Sequence, residues 1–128
     1  MSNLLDLLLK PELPNVQKSL PTAEYKVKRL SELAGQDVIF RLRALPYNRV
    51  GEFQGTMDPD AKIQILLAGC VEPDFKKDFA QLAAKYGGET PAETVKALLL
   101  PGEVDDLSRA IEKLTGYRGL TIEEVKNA

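Results

Sequence analysis

Histidine and tryptophan are absent from this 128-residue chain, and cysteine occurs once. Each absence closes a class of chemistry. Without histidine there is no imidazole general base and no Cys/His zinc site. A single cysteine cannot form an intramolecular disulfide, which fits a reducing compartment. There is no long hydrophobic run. The leucines from Leu4 to Leu9 are interrupted by Asp6 and follow no basic segment, so they are neither a signal peptide nor a membrane span. No glycine-rich loop precedes a helix as phosphate binding requires, because Gly87-Gly88 follows a helical pattern instead.

What is present describes one small domain. A chain of this length buries about two thirds of its unfolded surface. The net charge is −2, unevenly spread. Residues 1–50 carry eight Lys/Arg against five Asp/Glu, and residues 51–128 carry nine against fourteen. That modest asymmetry does not mark a nucleic-acid binder. It suits head-to-tail pairing with further copies.

The stretch Asp58–Phe75, DPDAKIQILLAGCVEPDF, reads as a central helix. Asp58 is its N-cap, Pro59 its first residue, and Glu72-Pro73 its stop. Ile63, Leu67 and Val71 form one stripe, flanked by Leu66 and Cys70. Ile65 points elsewhere, so several neighbours must bury this helix.

Residues 2–9 spell a short amphipathic helix whose greasy face holds Leu4, Leu5, Leu8 and Leu7. Eight residues cannot hold a helix alone, so that face must dock on something. Residues 10–23 carry three prolines and read as a semi-extended linker. From 24 to 45 the pattern alternates. Tyr25, Val27, Val38, Phe40 and Leu42 face inward, while Lys26, Lys28, Ile39, Arg41 and Arg43 face outward. This predicts a β-hairpin with a longer loop over Ser31–Asp37. Its basic outer face would repel itself unless it meets acidic groups or stays solvated.

Helical periods follow. Pro46 opens one segment, with Tyr47, Val50 and Phe53 on one side and an end at Gly55. After the central helix comes Asp74–Tyr86, stopped by Gly87-Gly88. Thr90-Pro91-Ala92-Glu93 is a capping box that starts a helix burying Val95, Leu98 and Leu99. Pro101-Gly102 breaks it. A last helix over Glu103–Thr115 carries the stripe Val104, Leu107, Ile111 and Leu114. Thr121–Glu124 is too short to hold a helix alone. The predicted fold is mainly α with a small antiparallel β-hairpin, an α+β domain with about five helices in its core. Residues 1–23 are helix and linker, 24–117 the domain, and 118–128 a flexible tail.

Catalytic patterns fail one by one. The residues after Asp58 and Asp60 lack the glycine of a calcium loop. Cys70 has no histidine partner and sits on an apolar face. The carboxylate pairs Glu72/Asp74 and Asp105/Asp106 fall at helix starts, where acidic residues favour the dipole. No catalytic, metal or cofactor residue is predicted, and the chain reads as a non-enzyme. The candidate partner-binding residues are Leu4, Leu5, Leu7, Leu8, Lys26, Lys28, Arg41 and Arg43.

The order of parts resembles a known family. The basic hairpin YKVKRL…DVIFRLRAL is followed by ILLAGCVEPDF, then YGGETPAETVKALLLPGEVDDL, then AIEKLTGY. This is similar to the XkdN-like tail assembly chaperones of phages and prophage elements, across roughly Ala23–Tyr117 and without a clear match after Gly119. The resemblance implies a non-enzymatic protein of the bacterial host cytoplasm that coats the tape-measure protein before the tail tube polymerises. It implies self-association and, as a further candidate partner, the tail tube protein, with no nucleic acid and no membrane. Two rivals stand beside it. One is a small cytoplasmic nucleic-acid-binding regulator using the basic hairpin, which the acidic composition and the lack of an aromatic-studded basic face disfavour. The other is a structural component of the tail itself.

Overall fold

The computed structural model describes residues 3–53, 59–117 and 119–125. The elements in chain order are α1 (Leu4–Leu8), β1 (Thr22–Lys26), α2 (Lys28–Ala34), β2 (Ile39–Arg43), α3 (Tyr47–Phe53), α4 (Pro59–Gly69), β3 (Cys70–Glu72), α5 (Phe79–Tyr86), α6 (Pro91–Leu98) and α7 (Pro101–Leu114). The fold is α+β and mainly helical, as predicted. Its sheet has three antiparallel strands in the order β1-β2-β3.

Helix α4 is the centre of the core and packs against α7, α6 and α3. Ile63, Ile65 and Leu66 are all buried, so its apolar surface is covered on more than one side. Full burial of a side chain such as Leu66 contributes about 1.5–3 kcal/mol. The helix ends at Gly69, earlier than predicted. Cys70-Val71-Glu72 leaves it as β3 and adds a strand to β2 through a register shift at Arg41/Leu42. The apolar run continues through this change of structure, so Val71 is exposed on a strand instead of completing the Ile63 stripe. Asp58 and Gly55, read as the cap of α4 and the end of α3, lie outside the described residues. Tyr47 is exposed and Val50 half-buried, so Tyr47 does not face the core.

The predicted hairpin is interrupted by a helix. Lys28–Ala34 is rich in good helix formers. It ends at Gly35, whose φ of 76° is left-handed and whose N–H donates to Ser31 O at 3.0 Å. Ser31 closes the unit. Its hydroxyl donates to Val27 O at 2.8 Å and accepts from Val38 N at 2.8 Å. On β2, Phe40 and Leu42 are buried and Ile39, Arg41 and Arg43 are exposed, as the alternation required. Phe40 meets Phe75 edge-on, with ring centroids 6.3 Å apart.

Helix α5 begins five residues later than read. Asp74 first caps a turn, its Oδ1 accepting from Lys76 N and Lys77 N at 3.0 Å. The Thr90 N-cap of α6 forms as predicted, but the reciprocal half of the capping box reaches Glu89 instead of Thr90. Glu93 N donates to Thr90 Oγ1 at 3.3 Å, and Glu93 Oε1 accepts from Glu89 N at 3.0 Å. Pro101 starts α7 as its first residue, so this helix opens two positions before Glu103. Val104, Leu107 and Ile111 are buried along its stripe. The linker is less extended than its prolines suggest, because turns form at Lys10–Leu13 and Asn15–Ser19. Residues 119–125 hold no regular structure, and the Thr121–Glu124 pattern builds no helix.

Candidate functional site

Helix α1 buries none of its residues. Leu4, Leu5, Leu7 and Leu8 are between 49% and 66% exposed. Leu9, Leu13 and Val16 of the following residues are exposed as well. Leu13 and Val16 lie outside the candidate set of Leu4, Leu5, Leu7 and Leu8 because the prolines of residues 10–23 leave no helical period to align their side chains. An exposed apolar face of this kind is a candidate interaction surface. A second apolar feature is a groove of about 470 Å³, lined by Val16, Leu20, Leu45, Val50, Leu114 and Tyr117 among others.

The four basic residues do not share one face. Lys28 is the first residue of α2, not part of a strand, because the alternation ends where the helix begins. Lys26, Arg41 and Arg43 do lie on the outer face of the sheet, but each has a local partner. Lys26 Nζ stands 3.3 Å from Asp37 Oδ1, and Arg41 Nη2 stands 3.6 Å from Glu24 Oε2. Arg43 Nη2 donates to Ala68 O at 3.4 Å. The register sets Arg41 opposite Glu24 on one side and Glu72 on the other. Charges therefore alternate across this face, and the cross-strand repulsion expected from the sequence does not arise.

A different arginine is the better placed one. Arg29 of α2 grips Glu103 with two parallel bonds of 2.9 Å, and its Nη2 also donates to Leu98 O at 2.9 Å. Glu103 Oε1 accepts as well from Leu100 N at 2.7 Å. One bidentate pair thus ties α2 to the junction of α6 and α7. These bonds hold the Glu103 carboxyl below its ordinary value, the Arg29 hydrogen bond most of all. The partners are 74 positions apart, and no local signal in the sequence joins them.

Three of the side chains weighed as catalytic, Cys70, Asp74 and Asp105, have defined surroundings. Burial pushes the Cys70 thiol up to about 12, with the nearby Asp74 and Glu72 charges adding to it. A thiol that stays protonated is a poor nucleophile. Backbone hydrogen bonds, that of Lys77 first, hold Asp74 below its usual range. Asp105 is held low by its bond with Lys62, and Arg109 Nε stands 3.1 Å from its other oxygen. Among the described residues, no three His, Cys, Asp or Glu side chains converge as metal ligands. No described helix is long and apolar enough to cross a membrane.

The family model of phage XkdN-like tail assembly chaperone proteins matches residues 5–128. The match starts within α1 and runs past Gly119, further than the sequence resemblance reached. The crystal structure of the protein yqbn is similar, with a TM-score of 0.59 at 22% identity, over 87% of this chain and 95% of that one. That is a likeness of fold. No curated protein matches this chain.

Proposed function

The chain belongs to the phage XkdN-like tail assembly chaperones, and on that premise we propose that it binds the tape-measure protein during tail assembly, through α1 and without covalent chemistry. The observation that carries this reading is the row of exposed leucines on a helix that buries none of its residues. A holding chaperone needs an apolar surface that is accessible and modest in size. Burying three or four leucines against a client contributes several kcal/mol, at about 1.5–3 kcal/mol for each side chain fully covered. The linker tethers α1, none of whose residues is buried, to the rest of the domain. The proposed place of action is the cytoplasm of the bacterial host, where a long apolar client must be kept from aggregating before the tube forms.

The basic outer face lends little support to the nucleic-acid alternative, because its cations are interleaved with Glu24, Asp37 and Glu72. The test removes residues 1–13 and pairs a melting curve with a co-expression pull-down of the tape-measure protein. The expected result is an unchanged melting temperature and loss of the client. A truncated protein that melts much lower yet still captures the client would place α1 in the core and the binding surface elsewhere.

A further inference from the structure

Strand β1 lies at one edge of the sheet, and among the described residues its only strand partner is β2. Two bonds show which way its backbone points. Val27 N donates to Val38 O at 3.0 Å, and Ala44 N donates to Pro21 O at 2.9 Å. In an antiparallel pair the hydrogen-bonded positions alternate. The odd-numbered residues of β1 therefore bond to β2. The N–H and C=O groups of Thr22, Glu24 and Lys26 point away from the sheet. A row of such groups is a template for another strand.

We propose that this edge pairs with the same edge of a second copy, antiparallel and centred on Tyr25. Charge selects both the occupant and the register. Centred on Tyr25, Glu24 of each copy stands directly opposite Lys26 of the other, giving two symmetric pairs of opposite sign on the outer face. Centring on Glu24 instead would set two like carboxylates face to face. The pattern already running across the sheet is Glu72 opposite Arg41 opposite Glu24. The second copy's Lys26 is the next cation in that row. Pairing in both directions joins two three-stranded sheets into one of six strands, with the same patch used by both partners, as two-fold symmetry requires. Thr22, Glu24 and Lys26 are all exposed along this edge. In the dimer Tyr25 faces its own counterpart across the two-fold axis. This inference is independent of what α1 binds.

The test is sedimentation of the full chain and of two charge variants across a concentration series, with circular dichroism melts to confirm that each variant folds. Glu24→Lys makes both cross-strand pairs lysine against lysine, and Lys26→Glu makes both glutamate against glutamate. Each alone should weaken the dimer at least about tenfold. Mixed one to one, the variants restore opposite signs at both pairs, and the dimer should return as a heterodimer. A wild-type chain that stays monomeric overturns the proposal and leaves the edge to a client strand. A dimer indifferent to both substitutions, or variants that lose the dimer and do not regain it on mixing, overturns it as well.

Discussion

Gly69, the last residue of α4, sits against Ile111 of α7 so closely that a Cβ built on it would lie 2.7 Å from two Ile111 carbons. The two central helices touch here because one of them has no side chain. Ile111 is itself fully buried and has no room to retreat, since protein interiors are close-packed.

Gly69→Ala should therefore destabilise the fold by about 1–3 kcal/mol, the usual range for overpacking a tight core. Gly102→Ala is the control. It lies in the first turn of α7 with nothing within 4 Å of the added methyl. It should leave stability unchanged or raise it by up to about 1 kcal/mol, since alanine restricts the unfolded chain more than glycine. Urea unfolding of both variants separates the two, and equal midpoints would contradict the close contact.

Cys70 should resist thiol reagents until the protein unfolds. With the thiol near 12 instead of 9.0, its thiolate fraction at neutral pH is roughly a thousandfold smaller, and access is closed besides. Cys70→Ser should cost about 1–3 kcal/mol, because a hydroxyl buried there has no assured partner. Labelling rates with and without denaturant check the first point, and chemical unfolding checks the second.

Acid should loosen the tie between α2, α6 and α7. Glu103, Asp105 and Asp74 are all held below their ordinary values of 4.5, 3.8 and 3.8. A depressed carboxylate stabilises the fold fully above its unfolded value, and that contribution is lost as pH falls through the folded one. Stability should fall as pH drops through and below these ordinary values. Glu103→Gln should flatten the profile at its upper end. An identical pH profile for the variant would remove Glu103 from the account.

The leucine row should act through area alone. Leu4→Ser, Leu5→Ser and Leu8→Ser combined should leave the melting temperature nearly unchanged, since none of the three is buried. The same variant should lose the client in a pull-down. A large drop in melting temperature would show that α1 belongs to the core.

The parts legible in the sequence were those with a strong local rule. Thr90, Pro91 and Glu93 specify a helix start through caps and fixed φ, and the Val104–Ile111 stripe fits only a helix packed on one side. Phe40 and Leu42 alternate with charged residues and so had to lie on a half-buried strand. Helix α2 was missed because it begins within an alternating run. Its clue was Gly35, read as the middle of a loop when it is the left-handed residue after a helix. Strand β3 was missed for the opposite reason. Cys70 continues the apolar character of α4, and only pairing with β2 turns it into a strand. Arg29 and Glu103 show the deeper limit, since two residues far apart in sequence meet only after everything between them is placed. The interleaving of Arg41 with Glu24 and Glu72 depends on strand register in the same way.

Leu45 N donates to Thr115 Oγ1 at 3.0 Å, across 70 positions, and Thr115 Oγ1 donates in turn to Ile111 O at 2.7 Å. Together with the Arg29–Glu103 pair, this ties early parts of the chain to its last helix. Strands β1 and β2 are made well before α7, which packs against β2. At about 5–20 residues per second, the gap is roughly 4–14 s. Throughout that interval Leu45 lacks its Thr115 partner and β2 lacks its packing against α7. The inner face of β2 is thus completed only at the end of synthesis, and codon changes that slow translation between 45 and 115 should lower soluble yield while leaving the finished protein unaltered.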